Sequence, residues 1–436
     1  MSSRKIIYAL LTCLTLTACS EVELCDSVHP HVTPIKFKYE WGDNEAKKPD
    51  NMGVLMYRVV NKWSQLVGID TNTGLVSVVE PPTTEEEPPA TEESSTKTRA
   101  EDEGTPGETP DDNQGETPDD TPDDTPEVTT TDKASVPPGE YKFITFPLDS
   151  KEFDYSDVFK FIETKGLDFT LHDIGLDYKE YSINDPNLHK GLQGWDDYNA
   201  YSKYIQPDVD IMFYDSTQMV TVERNVQFEH VFRPQALSQN VDIYFDIEKK
   251  IDERPFVIDS VWAEISGIPR HLNLRNGYLD IKKTNKMMFK SELTPQIGEK
   301  GKDNDNNPYL KCHGNIDVTS IVNVQQKPGQ SESDVMRKIY GPGIMQVIIY
   351  SHTTDPETGK LYRRKWQGII NLFRVLNKAN LTEVSQDGGY VKRRSEHGVL
   401  QIDAKLVIDG EKIVASDGDN EPIDRWIPTS NILIDI

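Results

Sequence analysis

The chain has 436 residues, of which 47 are Lys or Arg and 73 are Asp or Glu, giving a formal net charge of −26. Binding a phosphate backbone needs clustered Lys and Arg, so nucleic acid is excluded as a partner, and lying flat on anionic lipid is disfavoured by the same sign. The 4 cysteines are too few for a disulfide-stapled scaffold, and the length predicts two or three domains.

The chain begins like an exported protein. Arg4 and Lys5 precede a mostly apolar run from Ile6 to Leu16, and small residues lead to Cys19, the layout of a secretory signal. The run is shorter than the ~20 apolar residues that a bilayer span needs, and no later segment approaches that length. Leu16-Thr17-Ala18-Cys19 resembles a bacterial lipobox, in which the cysteine thiol is acylated and the bond before it is cut. On that reading residues 1–18 are a signal peptide, Cys19 is the lipidation site for palmitate-type chains, and residues 19–32 are a tether. Several acyl chains hold a protein stably where one is marginal. The plainer reading is an ordinary signal peptide with an incidental cysteine. Cleavage before Cys19 leaves 418 residues with a net charge of −28.

Strand signals follow: short runs rich in Val, Ile, Tyr and Phe between Gly, Pro, Asn and Asp. Thr33–Trp41, Val54–Val60, Leu75–Val79 and Tyr141–Pro147 are the first four. An acidic tract separates the last two. Residues 80–132 hold 19 acids against the two bases Lys97 and Arg99, and the phrase Gly107–Asp112 returns at Gly115–Asp120. Such a stretch cannot bury enough apolar surface to offset its ordering entropy, and like charges extend it. With strand text on both sides, residues 80–137 are expected to be a disordered loop insertion, which closure entropy tolerates. A solvated spacer is the favoured role. A cation-attracting or glycosylated brush is the alternative, and Lys97–Ala100 is an open site for a trypsin-like protease.

Further strands are expected at Asp168–Ile174, Asp210–Tyr214 and Met219–Val222. After a break near Arg233–Asn240 they continue at Val241–Ile247, Val257–Ile265, Leu274–Ile281, Met287–Leu293, Ile344–His352, Leu361–Leu372, Val399–Ile408 and Asn431–Ile436. Val399–Ile408 alternates apolar and polar residues, as a sheet with one wet face does. Helix is sparse, with Ser156–Thr164 and Asp196–Tyr204 as the candidates. Many short strands favour an all-β fold of two tandem sandwiches, 33–236 and 237–436.

Chemistry-bearing patterns are few. Cys25, His29 and His31 with Cys312-His313 are residue types that can ligate zinc, but their spacing matches no finger, and no metal or cofactor is assigned. Asp303–Asn307 echoes a calcium loop, yet Pro308 and Gly314 stand where Gly and Glu are required, which leaves a polar turn. Trp195, Tyr198, Tyr201 and Tyr204 recur every three residues. On a helix they form one ridge that either packs on its own sheet or, exposed, contacts a partner or surface glycans. No nucleophile-elbow, zincin, P-loop or dinucleotide fingerprint is present, so the chain is expected not to be an enzyme.

Taken together, certain residues resemble one family. They are the lipobox with Ser20–Glu23, then Leu24-Cys25 and His29-Pro-His31 leading into Ile35–Trp41, Val136–Phe143 entering a strand, Val241–Ile247, and Val261–Ile268. The chain resembles the fimbrillin-type pilus proteins of anaerobic Gram-negative bacteria, in particular their lipid-anchored anchor and accessory subunits. The resemblance implies two transthyretin-like β-sandwich domains, an outer-membrane location exposed on the cell surface, and a non-enzymatic role in a fimbria used for cell adhesion. It also implies fimbrial subunits as partners, joined by strand addition. The terminal strand, with Ile432, Ile434 and Ile436 on one face, is the expected subunit contact. The acidic insertion departs from the family pattern. The rival expectation is a surface glycan-binding lipoprotein that uses the aromatic ridge.

Overall fold

The computed structural model describes residues 32–81, 131–164, 174–183, 203–207, 210–249, 256–296, 309–323, 328–338, 340–409 and 412–415, with Leu171, Asp185 and Leu188. The chain is all-β, as expected. Its first half supplies β1 (Thr33–Tyr39), β2 (Asn51–Arg58), β3 (Ser64–Asp70), β4 (Val76–Val79), β5 (Ala134–Val136), β6 (Gly139–Pro147) and β7 (Phe153–Asp154). Helix α1 (Ser156–Glu163) follows, then β8 (Gly175–Tyr178), β9 (Tyr204–Ile205), β10 (Phe213–Ser216), β11 (Val220–Val222), β12 (Phe228–Phe232) and β13 (Gln235–Ala236).

Two sheets make the first sandwich. One runs β12-β1-β5, and the other runs β13-β10-β6-β2-β3-β4 with β11 beside β6. Along β1, Thr33, Ile35 and Phe37 are buried while their neighbours face outward, because a strand turns successive side chains to opposite faces. Phe37 meets Phe143 edge-on at 5.3 Å between centroids and stacks on Phe232 at 5.6 Å, so aromatic rings fill the space between the sheets. β6 shows no alternation after Lys142, and the structure gives the reason. Phe143 faces the first sandwich, whereas Ile144 and Phe146 face α1 and the core of the second half. A strand covered on both faces has no wet side to pattern.

Part of the sequence expectation needs correcting here. Ala134–Val136, inside the stretch 80–137 expected to be a disordered insertion, is strand β5. Ala134 and Val136 are buried and pair with Ile35 and Thr33. Thr131 already bridges to Val76. The acidic residues 82–130 lie outside the described residues.

The second half contributes β14 (Gln239–Lys249), β15 (Val257–Pro269), β16 (His271–Asn273), β17 (Tyr278–Asp280), β18 (Thr284–Gln296), β19 (Tyr309–Val318) and α2 (Glu332–Met336). β20 (Ile344–Thr354), β21 (Leu361–Asn371), α3 (Phe373–Ala379), β22 (Thr382–Val384), β23 (Tyr390–Arg393), β24 (His397–Asp409) and β25 (Lys412–Ala415) complete it. A nine-stranded sheet runs β21-β20-β15-β18-β19-β14-β24-β25, with β9 beside β18. β18 turns the corner. Up to Ser291 it pairs with β15, and from Glu292 it pairs with β19. The ends of the path, β21 and β25, approach one another, so the sheet folds over its own core and leaves a seam between them. Gly267 supplies a bulge in β15. Its φ of +90° and a Val322 carbonyl that would lie 2.5 Å from any Cβ leave room for glycine alone.

A six-stranded sheet, β22-β23-β17-β16-β8-β7, joins the halves. β8 pairs antiparallel with β16, Leu176 opposite Leu272, and Gly175 has no side chain because the His271 ring fills that space. Segments between residues 153 and 205, assigned by sequence to the first domain, therefore supply β7, β8 and β9 to sheets built mainly from the second half. Val158 and Phe161 of α1 close the joint core beneath β6.

Candidate functional site

Most residues singled out in the sequence lie outside the described residues: Cys19, Trp195, Tyr198, Tyr201, Ile432, Ile434, Ile436, Cys25, His29, His31 and Asp303–Asn307. Tyr204 is described, and it stands on strand β9 at 0% exposure, not at the end of an exposed helical ridge. Its hydroxyl donates to Glu264 Oε2 at 2.9 Å, and Lys286 Nζ lies 2.7 Å from Glu264 Oε1. Leu188, Met288 and Ile348 pack around the ring. A carboxylate as buried as Glu264 must be paired and hydrogen-bonded, and Tyr204 helps to meet that need. It is therefore not available to contact a glycan.

Cys312 and His313 are neighbours on β19 and point to opposite faces. Cys312 is a free thiol in the core, where burial pushes its pKa up, well above the range of a reactive thiol. His313 faces outward, with Nε2 2.7 Å from Asp242 Oδ1 and its ring stacked on Tyr244. The two side chains cannot converge on one ion, which is the geometric reason the Cys-His pair is not a zinc half-site.

A denser polar cluster sits where β8 meets β16. Asp177 lies 2.9 Å from Arg270 Nη1 and 2.5 Å from His271 Nδ1, while Arg270 Nε reaches Glu180 at 2.9 Å and Lys283 Nζ is 3.1 Å from His271. Burial raises the Asp177 carboxyl, but the His271 hydrogen bond and the charges of His271, Arg270 and Lys283 outweigh it and hold the pKa below the usual 3.8. Asp157, Asp177 and His271 offer ligand atoms within 4.8 Å of one another. Arg270 and Lys283 already neutralise that cluster, so a cation would meet like charge. The geometry is that of an ion-pair lock between the two halves of the chain. Nothing in the sequence signalled it, because the acid lies over ninety residues before its partners.

Sheet edges are the remaining surfaces of interest, since a free row of N–H and C=O groups can take an added strand. β4, β5, β7, β13, β22 and β25 are edges of two to four residues. β12 carries Glu229, which pairs with Lys38 at 2.7 Å. β21 differs in being an edge of eleven residues. Its second half is buried beneath α2, where Asn371 Nδ2 donates to the Val335 and Lys338 carbonyls, both at 2.9 Å. Its first half is partly exposed and carries Arg363, Arg364 and Lys365. No helix among the described residues is long and apolar enough to cross a membrane.

No protein-family model matches the chain, and no curated protein matches it in sequence. Among solved structures, a candidate adhesin from Bacteroides ovatus ATCC 8483 aligns over 90% of this chain and 96% of its own, at 9% identity and a TM-score of 0.42. A candidate adhesin from Bacteroides thetaiotaomicron VPI-5482 aligns over 90% and 95%, at 11% identity and a TM-score of 0.37. The fimbrial anchor protein Mfa2 from Porphyromonas gingivalis aligns over 86% and 90%, at 7% identity and a TM-score of 0.33.

Proposed function

We propose that this chain is a lipoprotein of the outer membrane, held by acyl chains on Cys19 and exposed at the cell surface. There it acts as a non-enzymatic anchor or accessory subunit of an adhesive fimbria. The observation that carries the reading is the lipobox Leu16–Cys19 with thirteen residues between it and the first strand of an all-β body. An anchor needs a fixed end and a rigid frame, and this chain has the sequence of one and the fold of the other. Partner subunits add a strand to the body, with the terminal strand through Ile432, Ile434 and Ile436 and the seam beside β21 as the surfaces that suit it. A seam between sheet ends offers main-chain groups for affinity and side-chain pockets for register.

Two variants test the two parts separately. Cys19→Ser should leave the membrane fraction and appear in the medium or soluble fraction, and continued membrane retention would overturn the anchor. Deleting residues 431–436 should abolish co-purification with fimbrial subunits while membrane attachment persists, and unchanged recovery of those subunits would remove the strand contact.

A further inference from the structure

The end of the first sandwich where the chain enters β1 gathers four segments: Val32 itself, the β2–β3 turn, the β5–β6 connection and the β11–β12 turn. They are fastened to one another. Thr33 Oγ1 donates to the Glu223 carbonyl at 2.9 Å, Arg58 Nη2 donates to the Pro138 carbonyl at 2.5 Å, and the Arg58 amide donates to the Trp63 carbonyl at 2.8 Å. This end is therefore a rigid part of the sandwich.

Its chemistry differs from that of the rest of the surface. Val60 is 78% exposed, Val226 51%, Val59 42% and Val32 39%, a third of the exposed large apolar side chains among the described residues. Pro137 and Pro138 lie between them and have no N–H to dehydrate. Three bases, Arg58, Lys62 and Arg224, stand with three acids, Glu140, Glu223 and Glu80 at the end of β4, so the described residues of this end carry no net charge in a chain whose net charge is −26. Apolar side chains clustered on turns and free of net negative charge mark a surface that something covers.

We infer that this end rests on the bilayer surface, with Val59, Val60 and Val226 dipping among the lipid headgroups. The inference builds on the proposed anchor. Thirteen residue steps separate Cys19 from Val32, so the tether extends at most about 45 Å and ends at this tip and no other part of the sandwich. Contact by a near-neutral apolar tip also fits the overall acidity, which disfavours laying the whole body on a charged surface. The sandwich then stands upright, with the β3–β4 turn at Thr71–Gly74 pointing away from the membrane.

Depth-dependent quenching tests the inference. The mature full-length protein, with Cys25→Ser, is labelled with a fluorophore at Val60→Cys or at Thr73→Cys in the opposite turn, and reconstituted into phosphatidylcholine vesicles containing nitroxide lipid. The label at position 60 should be quenched several-fold more than the label at position 73. Equal quenching at the two positions overturns the inference, as does a label at position 60 untouched by nitroxide lipid. The two ideas fail separately: a Cys19→Ser protein that carries no less acyl chain than the wild type overturns the anchor, whereas an acylated protein quenched equally at positions 60 and 73 overturns the tip alone.

Discussion

The two sandwiches solve the same packing problem differently. The first uses strands of two to nine residues and fills the gap between two separate sheets with stacked rings, Phe37, Phe143 and Phe232 among them. The second uses strands of up to thirteen residues, bends one sheet over at β18, and buries mainly aliphatic side chains such as Val261, Ile265, Val347 and Ile349. A large ring spans more of the interior per residue, so short strands with few inward positions need rings where long ones do not. The first sandwich also leans on the second. One face of β6 serves its own core and the other serves the joint core, whereas among the described residues no strand of the nine-stranded sheet is shared with the first sandwich in that way.

Three substitutions break or sharpen that contrast. Phe146→Ala removes a fully buried ring from the joint core and should cost about 4 kcal/mol, in the usual range for such a cavity. Hydrogen exchange should speed up in β2 and β6 and also in β8 and β16. Acceleration confined to the first sandwich would show that the halves fold independently.

Asp177→Asn unpairs Arg270 and His271 at the junction and should cost about 3 kcal/mol, as breaking a partly buried ion pair does. The sign with pH follows from the depressed pKa. An acid held below 3.8 stabilises the fold at pH values above 3.8, and that contribution is lost as pH falls through the lower folded value. The stability gap between the wild type and Asp177→Asn, followed by urea unfolding, should therefore be full at pH 6 and close below pH 3.8. A gap that stays open in acid would mean that the carboxylate charge is not what holds the junction.

Glu229→Gln is the smallest. The Lys38–Glu229 pair between β1 and β12 has side chains 50% and 43% exposed, so its loss should change stability by less than about 0.5 kcal/mol. A larger drop would mean that the parallel β1–β12 pairing depends on this charge.

Which strands were legible follows the same physics. Val399–Asp403 alternates because β24 has one wet face there, with Val399, Gln401 and Asp403 exposed, whereas Leu406, Val407 and Ile408 are all buried; the observed strand His397–Asp409 extends the expected run by two residues and one. The helix expected at Ser156–Thr164 is α1, one residue shorter. β3 escaped notice because Leu66 to Ile69 is buried on both faces, so its short run carries no period. β19 does alternate, with Leu310, Cys312, Gly314, Ile316 and Val318 inward and polar residues between, but Gly314 at its centre interrupts the apolar series that marks a strand. Tyr204 looked like the last rung of a helical ridge. Its partner Glu264 lies 60 residues away, and no local pattern encodes that contact.

By itself the sequence determined the all-β class and carried the pattern on which the proposed anchor rests. Alternating and aromatic-rich runs are local signals, and so are an apolar run such as Ile6–Leu16 and the cysteine at position 19. The tertiary structure alone decided how the halves join, which carboxylates are buried, and which turns meet Val32 at one tip. Those depend on residues distant in the chain being brought to within a few ångströms, and pairing energy at that range leaves no periodic trace in sequence.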